Sequence, residues 1–231
     1  LAVDQEYTLR VSKRAKYARL QMSLRDGLVV VVPRGFDQKR IPELLEKKRS
    51  WIEKVSKQYE EQQRLAPQDP MPGRIDLRGI EEIWQVDYRD GNSKRVLERP
   101  GNQLWIPDGD LESVQTALRH WLRRKAHRHL KPWLRHLAEE NGFRMRRIFI
   151  KAQRTRWGSC SEKKNINLNM KLLFLPEELV NYVLLHELCH TVHLNHSKKF
   201  WALVAEYEPR YAARRKALRG AWKYVPAWVE G

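Results

Sequence analysis

The run His186-Glu187-Leu188-Cys189-His190 constrains this chain more than any other feature, because its two histidines can act together only on an α-helix. Positions i and i+4 lie one above the other on a helical face. Both imidazoles can then aim ring nitrogens at one tetrahedral metal ion roughly 2.0–2.1 Å away. Glu187, beside the first of them, is placed to take a proton from water activated by that ion. The preceding run Val180-Asn181-Tyr182-Val183-Leu184-Leu185 is apolar enough for a buried helix that holds this face rigid. A chain of this composition yields roughly 0.02 such matches by chance, so the pattern carries weight by itself.

A third ligand would complete a catalytic site, and two histidines compete for the place. His196 stands ten residues after His186, the spacing of H-E-x-x-H-x-x-G-x-x-H. His193 occupies the position of the turn glycine in that pattern, so the chain must leave the helix differently. Asn195 in a left-handed conformation is the expected device. His193 itself, three residues after His190 on a continuing helix, is the rival ligand. Cys189 reads as a small buried residue and not as a ligand.

Composition sets the outer limits. With 231 residues and 42% hydrophobic content the chain can bury a substantial core. No apolar run approaches the roughly 20 residues of a membrane span, so no membrane partner is expected. Leu1 to Val11 alternates charged and apolar residues and lacks the apolar core of a signal peptide. Two cysteines, Cys160 and Cys189, argue against a disulfide scaffold, and the expected setting is the cytoplasm. The net charge of +17 makes nucleic acid or nucleotides possible partners through a basic surface.

Periodicity predicts an α+β fold: a strand-rich N-terminal part, then a helical C-terminal core with a small sheet. Strands are expected over 7–11, 17–24 and 28–32, with a hairpin turn at Asp26-Gly27. A helix capped by Asp37 should follow, with Ile41, Leu44, Leu45, Trp51, Ile52 and Val55 at helical spacing. The Pro-rich stretch 62–73 reads as a linker, which suggests domains 1–74 and 75–231. Short strands are expected over 83–88, 96–98 and 103–106, separated by turns at Asp90-Gly91-Asn92 and Pro100-Gly101-Asn102. A long helix should span 111–140 and end at Asn141-Gly142. Its predicted apolar stripe includes Leu111, Val114, Leu118, Trp121, Leu122, Leu130, Leu134 and Leu137. Its charged face, Lys125 among it, reads as solvated or polyanion-binding. Strands over 147–153 and 166–170 should precede three helices: one opening at Pro176, one capped by Ser197, and one over 211–222.

Taken together, Arg154-Thr155-Arg156-Trp157-Gly158-Ser159-Cys160, Asn167-Leu168-Asn169, His186-Glu187-Leu188-Cys189-His190 and Asn195-His196-Ser197-Lys198-Lys199-Phe200-Trp201 resemble the YgjP-like metallopeptidase family in order and spacing. The resemblance extends over nearly the whole chain. It implies a zincin-like core with His186, His190 and His196 as ligands of one Zn2+ and Glu187 as catalytic acid/base. The segment from His196 to Trp201 is more distantly similar to SprT-like and WLM proteases, which act on DNA-bound proteins.

The Arg-Trp-Gly-Ser-Cys run sits between two predicted strands, so it should form a loop or sheet edge facing the metal helix. Such an edge can pair with an extended peptide, and Gly158 would allow close backbone approach. Trp157 and Cys160 could equally plug the core beneath the helix. Arg154 or Arg156 could stabilise an oxyanion or grip a phosphate. The expected function is therefore a zinc metallopeptidase with Arg154, Arg156, Trp157 and Gly158 at the substrate. The alternatives are a metal-dependent nucleotide phosphohydrolase and a non-catalytic, nucleic-acid-associated zinc module.

Overall fold

The computed structural model describes residues 6–23, 27–89 and 95–230. By its internal contacts the chain divides into two units, Leu1–Leu65 and Ala66–Gly231. Both combine helices with small mixed sheets, and the fold class is α+β.

In the first unit β1 (Tyr7–Ser12), β2 (Arg19–Ser23) and β3 (Gly27–Pro33) form a sheet in the order β1-β3-β2. The central β3 runs parallel to β1 and antiparallel to β2. Five consecutive residues of β3, Leu28 to Val32, are buried, as expected of a central strand covered on both faces. Leu28, Val30 and Val32 share one face, and Ile41, Leu45 and Ile52 pack on it. Asp37 caps a short 3-10 turn, Gln38–Arg40, by accepting from the Lys39 amide. The single helix expected after it is two, α1 (Ile41–Lys47) and α2 (Arg49–Leu65). The helical path is interrupted at Lys48, whose amide donates to the Leu45 carbonyl, yet Ile41, Leu45 and Ile52 still join one core. Leu24 and Asp26, in the predicted strand end and turn, lie outside the described residues, as do Asp90, Gly91 and Asn92.

The second unit opens with a four-stranded sheet in the order β4-β5-β7-β6: β4 (Arg74–Leu77), β5 (Glu82–Arg89), β6 (Leu97–Arg99) and β7 (Gln103–Pro107). Strand β4 has no counterpart in the sequence reading; at four residues it is too short to show periodicity. The predicted turn between β6 and β7 is present, with Gly101 and Asn102 both at positive φ. Helix α3 (Leu111–Glu140) follows, capped by Asp110 accepting from the Ser113 amide.

Two assignments on α3 need correction. Leu111, placed in the apolar stripe, is exposed, because the first residue of the helix overhangs the core. Lys125, placed on the charged face, is only 4% exposed. Its ammonium lies 2.5 Å from a Glu82 carboxylate oxygen and 4.4 Å from the Trp84 ring centre. That pairing makes burial of the charge tolerable.

A second sheet, in the order β8-β10-β9, is built from β8 (Ile148–Lys151), β9 (Gly158–Cys160) and β10 (Ile166–Asn169). Central β10 is parallel to β8 and antiparallel to β9, which leaves β9 as an edge. Three helices complete the unit: α4 (Glu177–Cys189), α5 (Lys198–Tyr207) and α6 (Tyr211–Arg219). The last is shorter than predicted and gives way to a 3-10 turn over Ala221–Tyr224.

Residues 221–230 fold back as a clasp. Trp222 stacks on Trp157 at 4.2 Å between ring centres, and Trp228 is buried against Phe174. Glu230 pairs with the buried Lys171 at 2.5 Å. Removing Glu230 takes a close carboxylate from that buried ammonium. Glu230→Ala is therefore expected to lower unfolding free energy by roughly 1–3 kcal/mol, softened by water reaching the half-exposed acid. Urea midpoints of the two proteins test this.

A second dependence runs through Gly79, in the turn between β4 and β5. A Cβ there would stand 2.9 Å from Val180 Cγ2 and 3.1 Å from the Leu172 carbonyl oxygen. Gly79→Ala must push α4 away from this turn. It should cost about 1–3 kcal/mol, the range for overpacking a filled interior, read as a lower thermal midpoint.

Candidate active site

Helix α4 carries the site at its C-terminal end. Glu177 and Glu178 sit in its first turn, where carboxylates favour the helix dipole. Leu179, Val180, Tyr182 to Leu185, Leu188 and Cys189 are all buried, so the helix is enclosed on nearly every side. His186 and His190 lie one turn apart on the face that opens to solvent. His190 is the C-cap, its amide donating to the His186 carbonyl at 3.2 Å.

The chain then turns back through hydrogen bonds from the Thr191, Val192 and His193 amides to Leu188 and Cys189. Asn195 does not adopt positive φ, so the left-handed turn expected there is absent; this stack of amide bonds reverses the chain instead. Ser197 starts α5 by accepting from the Phe200 amide at 3.3 Å. That cap fixes His196 directly before the helix and swings its ring over α4.

The donor atoms of His186, His190 and His196 all fall within 4.8 Å of one another. His186 Nε2 and His196 Nε2 are 3.1 Å apart. Two ligands of a tetrahedral ion at 2.0–2.1 Å stand about 3.3–3.4 Å apart, so this spacing fits such an ion after a small adjustment. Phe200, fully buried, touches all three rings: stacked on His190 at 4.4 Å and edge-on to His186 and His196 at 5.0 and 4.8 Å. The rival His193 contributes its backbone instead. Its carbonyl oxygen lies 3.0 Å from His190 Nδ1, which holds the proton on Nδ1 and leaves the Nε2 lone pair for a metal.

Electrostatics favour neutral imidazoles here. Burial, then the neighbouring His190, His196 and Arg215, push His186 down to about 3. Burial is also the main cause lowering His190 and His196. A neutral ring is the ligand form. His186 Nδ1 and Glu187 Oε2 are buried without a hydrogen-bond partner. The Nδ1 atom lies on the ring edge away from the Nε2 that meets His196, so it is the orphaned carboxyl oxygen beside the three converging rings that fits a metal ion with its polar ligands. The residues fit a metal ion.

Glu187 is 5% exposed, and burial pushes its carboxyl up to about 8, with Arg156 pulling the other way. A cation at the histidines would favour the carboxylate. Gly158, first residue of β9, faces this acid: a Cβ there would stand 2.5 Å from Glu187 Oε1. The edge strand can approach the acid only because this position has no side chain.

Arg156, Trp157, Gly158, His186, Glu187 and His196 line one cleft of 550 Å³. Trp157 is 7% exposed, so it both backs the edge strand and borders the cleft. Arg154 is exposed and is not among the lining residues. Five residues to which sequence reasoning gave no role in the site join the lining: Tyr182, Val183, Trp201, Arg215 and Leu218. The only signal for Trp201 was its place after Phe200; α6 read as a plain basic helix. The cationic face of α3 borders a separate groove, where His120, Arg123, Arg124 and His127 face Val96 and Leu97.

The Gly158 contact is testable. Gly158→Ala must displace the Glu187 carboxyl while leaving the histidines in place. Hydrolytic turnover should fall at least about a hundredfold, as for misplaced catalytic groups, with metal content unchanged by elemental analysis.

Comparison with curated proteins gives no match. Among solved structures the chain is similar to the metallopeptidase zymogen of Pyrococcus abyssi abylysin, with 26% identity, a TM-score of 0.35, and 38% of this chain and 90% of that one covered. The family model described as YgjP-like, metallopeptidase domain, matches residues 16–221. With the match running from the first sheet to the start of the C-terminal clasp, the chain belongs to the YgjP-like metallopeptidase family.

Proposed function

We propose that this metallopeptidase uses zinc, with His186, His190 and His196 as ligands and Glu187 as general base and acid. The observation that carries the reading is the convergence of three neutral imidazoles beside one buried carboxyl in a single cleft. Three protein nitrogens leave a tetrahedral ion one open position, the arrangement of catalytic zinc and not of structural zinc. Zinc bound there would supply Lewis acidity, making water more acidic and the scissile carbonyl more electrophilic.

The chain's own groups do the remainder. Glu187 takes a proton from the attacking water and delivers it to the departing amine. Its apolar surroundings keep the carboxyl's proton affinity high enough for both transfers. His190, tied through Nδ1 to the His193 carbonyl, keeps one tautomer throughout. Among the described residues β9 pairs with β10 alone, so its outer edge takes the extended peptide, and Gly158 lets the peptide backbone come close to Glu187. Trp157, held by Trp222, keeps that edge in register with α4. The two cysteines are free thiols, in keeping with a reducing cytoplasmic setting.

Elemental analysis should find one zinc per chain, lost in His186→Ala, His190→Ala and His196→Ala. Zinc that survives His196→Ala would move the third ligand elsewhere. Glu187→Gln should keep the zinc and reduce cleavage of casein or a degenerate peptide pool by at least about a thousandfold, a loss typical of a general base. Release of phosphate from nucleoside triphosphates with Mg2+, alongside intact peptides, would favour the phosphohydrolase reading instead.

A further inference from the structure

We propose that Arg156 and Arg215 form an anion-reading pair across the catalytic cleft, selecting peptides that carry a carboxylate beside the scissile bond. Neighbouring arginines on α6 show the contrast that matters. Arg214 turns to Glu178 and Glu208, with contacts of 3.5 and 3.8 Å. Arg215 instead lies over the Trp201 ring, 4.6 Å from its centre, and lines the cleft. Trp201 in turn stacks on His196 at 5.4 Å and on Tyr211 at 5.5 Å. The guanidinium is therefore held on a rigid aromatic platform next to a metal ligand. Among the described residues Arg215 is in no ion pair with an acid, and Arg156 acts only at longer range on the buried Glu187.

The charge balance of the cleft makes this placement informative. Glu187 is the one acid among its described lining residues, and it is buried. Arg156 and Arg215 both line the cleft and reach solvent, so the cleft presents a positive potential to an incoming ligand. An anionic substrate group entering the cleft is drawn by that potential. Guanidinium recognises carboxylate with paired, directional hydrogen bonds. The cleft has an apolar wall in Trp157 and Leu218, which lowers the local dielectric and strengthens the contact. The carboxylate can come from an Asp or Glu side chain or from a peptide's C-terminus, and the chemistry at the two arginines is the same.

That the ligand is a peptide rests on the peptidase reading; the anion selectivity is measured apart from turnover. The probes are four fluorescein-labelled Ala/Phe nonapeptides, with a central Glu or Gln and a free or amidated C-terminus, titrated into the zinc-loaded Glu187→Gln protein. A carboxylate-bearing peptide should bind roughly ten- to a hundredfold tighter than its neutral counterpart, the range for hydrogen bonds to a charged group. Adding Arg215→Gln or Arg156→Gln should bring that ratio near one, whereas Lys216→Gln, a charge change on α6 outside the cleft lining, should leave it intact. A ratio that follows the central residue assigns the side chain, and one that follows amidation assigns the terminus. No preference in the starting protein, or equal loss with Lys216→Gln, overturns the proposal. Equal slowing of Glu and Gln peptides by Arg215→Gln in the active enzyme would make Arg215 an oxyanion stabiliser and overturn it too. If the wild type cuts none of the four peptides while Arg215-dependent binding persists, the peptidase reading falls and the anion site stands.

Discussion

The packing of three imidazoles around Phe200 is the contact on which the site depends. Histidines in an H-E-x-x-H helix share a face but have no reason to keep their rings fixed in water. Here one phenyl ring meets all three, from two directions of approach, and is itself fully buried. The side chains are thereby ordered before any ion arrives, so the entropy of ordering them is met by folding and not by metal binding. The same ring explains why the pattern runs on from His196 to Trp201. Ser197 sets the first turn of α5, that turn fixes Phe200, and Phe200 orients His186 and His190 on a different helix.

Polar residues under the core serve the same end. Lys125 beneath Trp84 and Lys171 beneath Trp222 are charges inside apolar surroundings, each in contact with a glutamate and an indole. Such pairs add little net stability compared with apolar packing, but a mismatch is costly, so they penalise wrong arrangements of the elements they join. Lys125 joins α3 to β5, and Lys171 joins the segment before α4 to the C-terminal clasp. Both fix the frame in which α4 sits.

The elements legible in the sequence were those with local causes. Helix α3 was readable from its stripe and its Asn-Gly end, α5 from Ser197, and β3 from its unbroken apolar run. The three histidines were readable because their spacing is itself a helix followed by a short return. What escaped were effects of distant partners. Lys125 looks like any surface lysine until Glu82 and Trp84 are brought to it. Arg215 sits in a basic run whose members differ only in which acids fold next to them. Asn195 seemed necessary as a left-handed pivot because the turn's amide hydrogen bonds to α4 could not be foreseen.

The clasp over residues 221–230 gives the cleft an order of assembly. His186, His190 and His196 precede Trp222 and Glu230 in the chain, so a ribosome delivers the histidine cluster before the indole that backs Trp157 and an acid that pairs with Lys171. A nascent chain released only to Arg219 holds the three histidines and Glu187, while β9 still lacks the indole behind Trp157. Gathering the histidines and backing the edge strand are then separate steps in the synthesis of the chain.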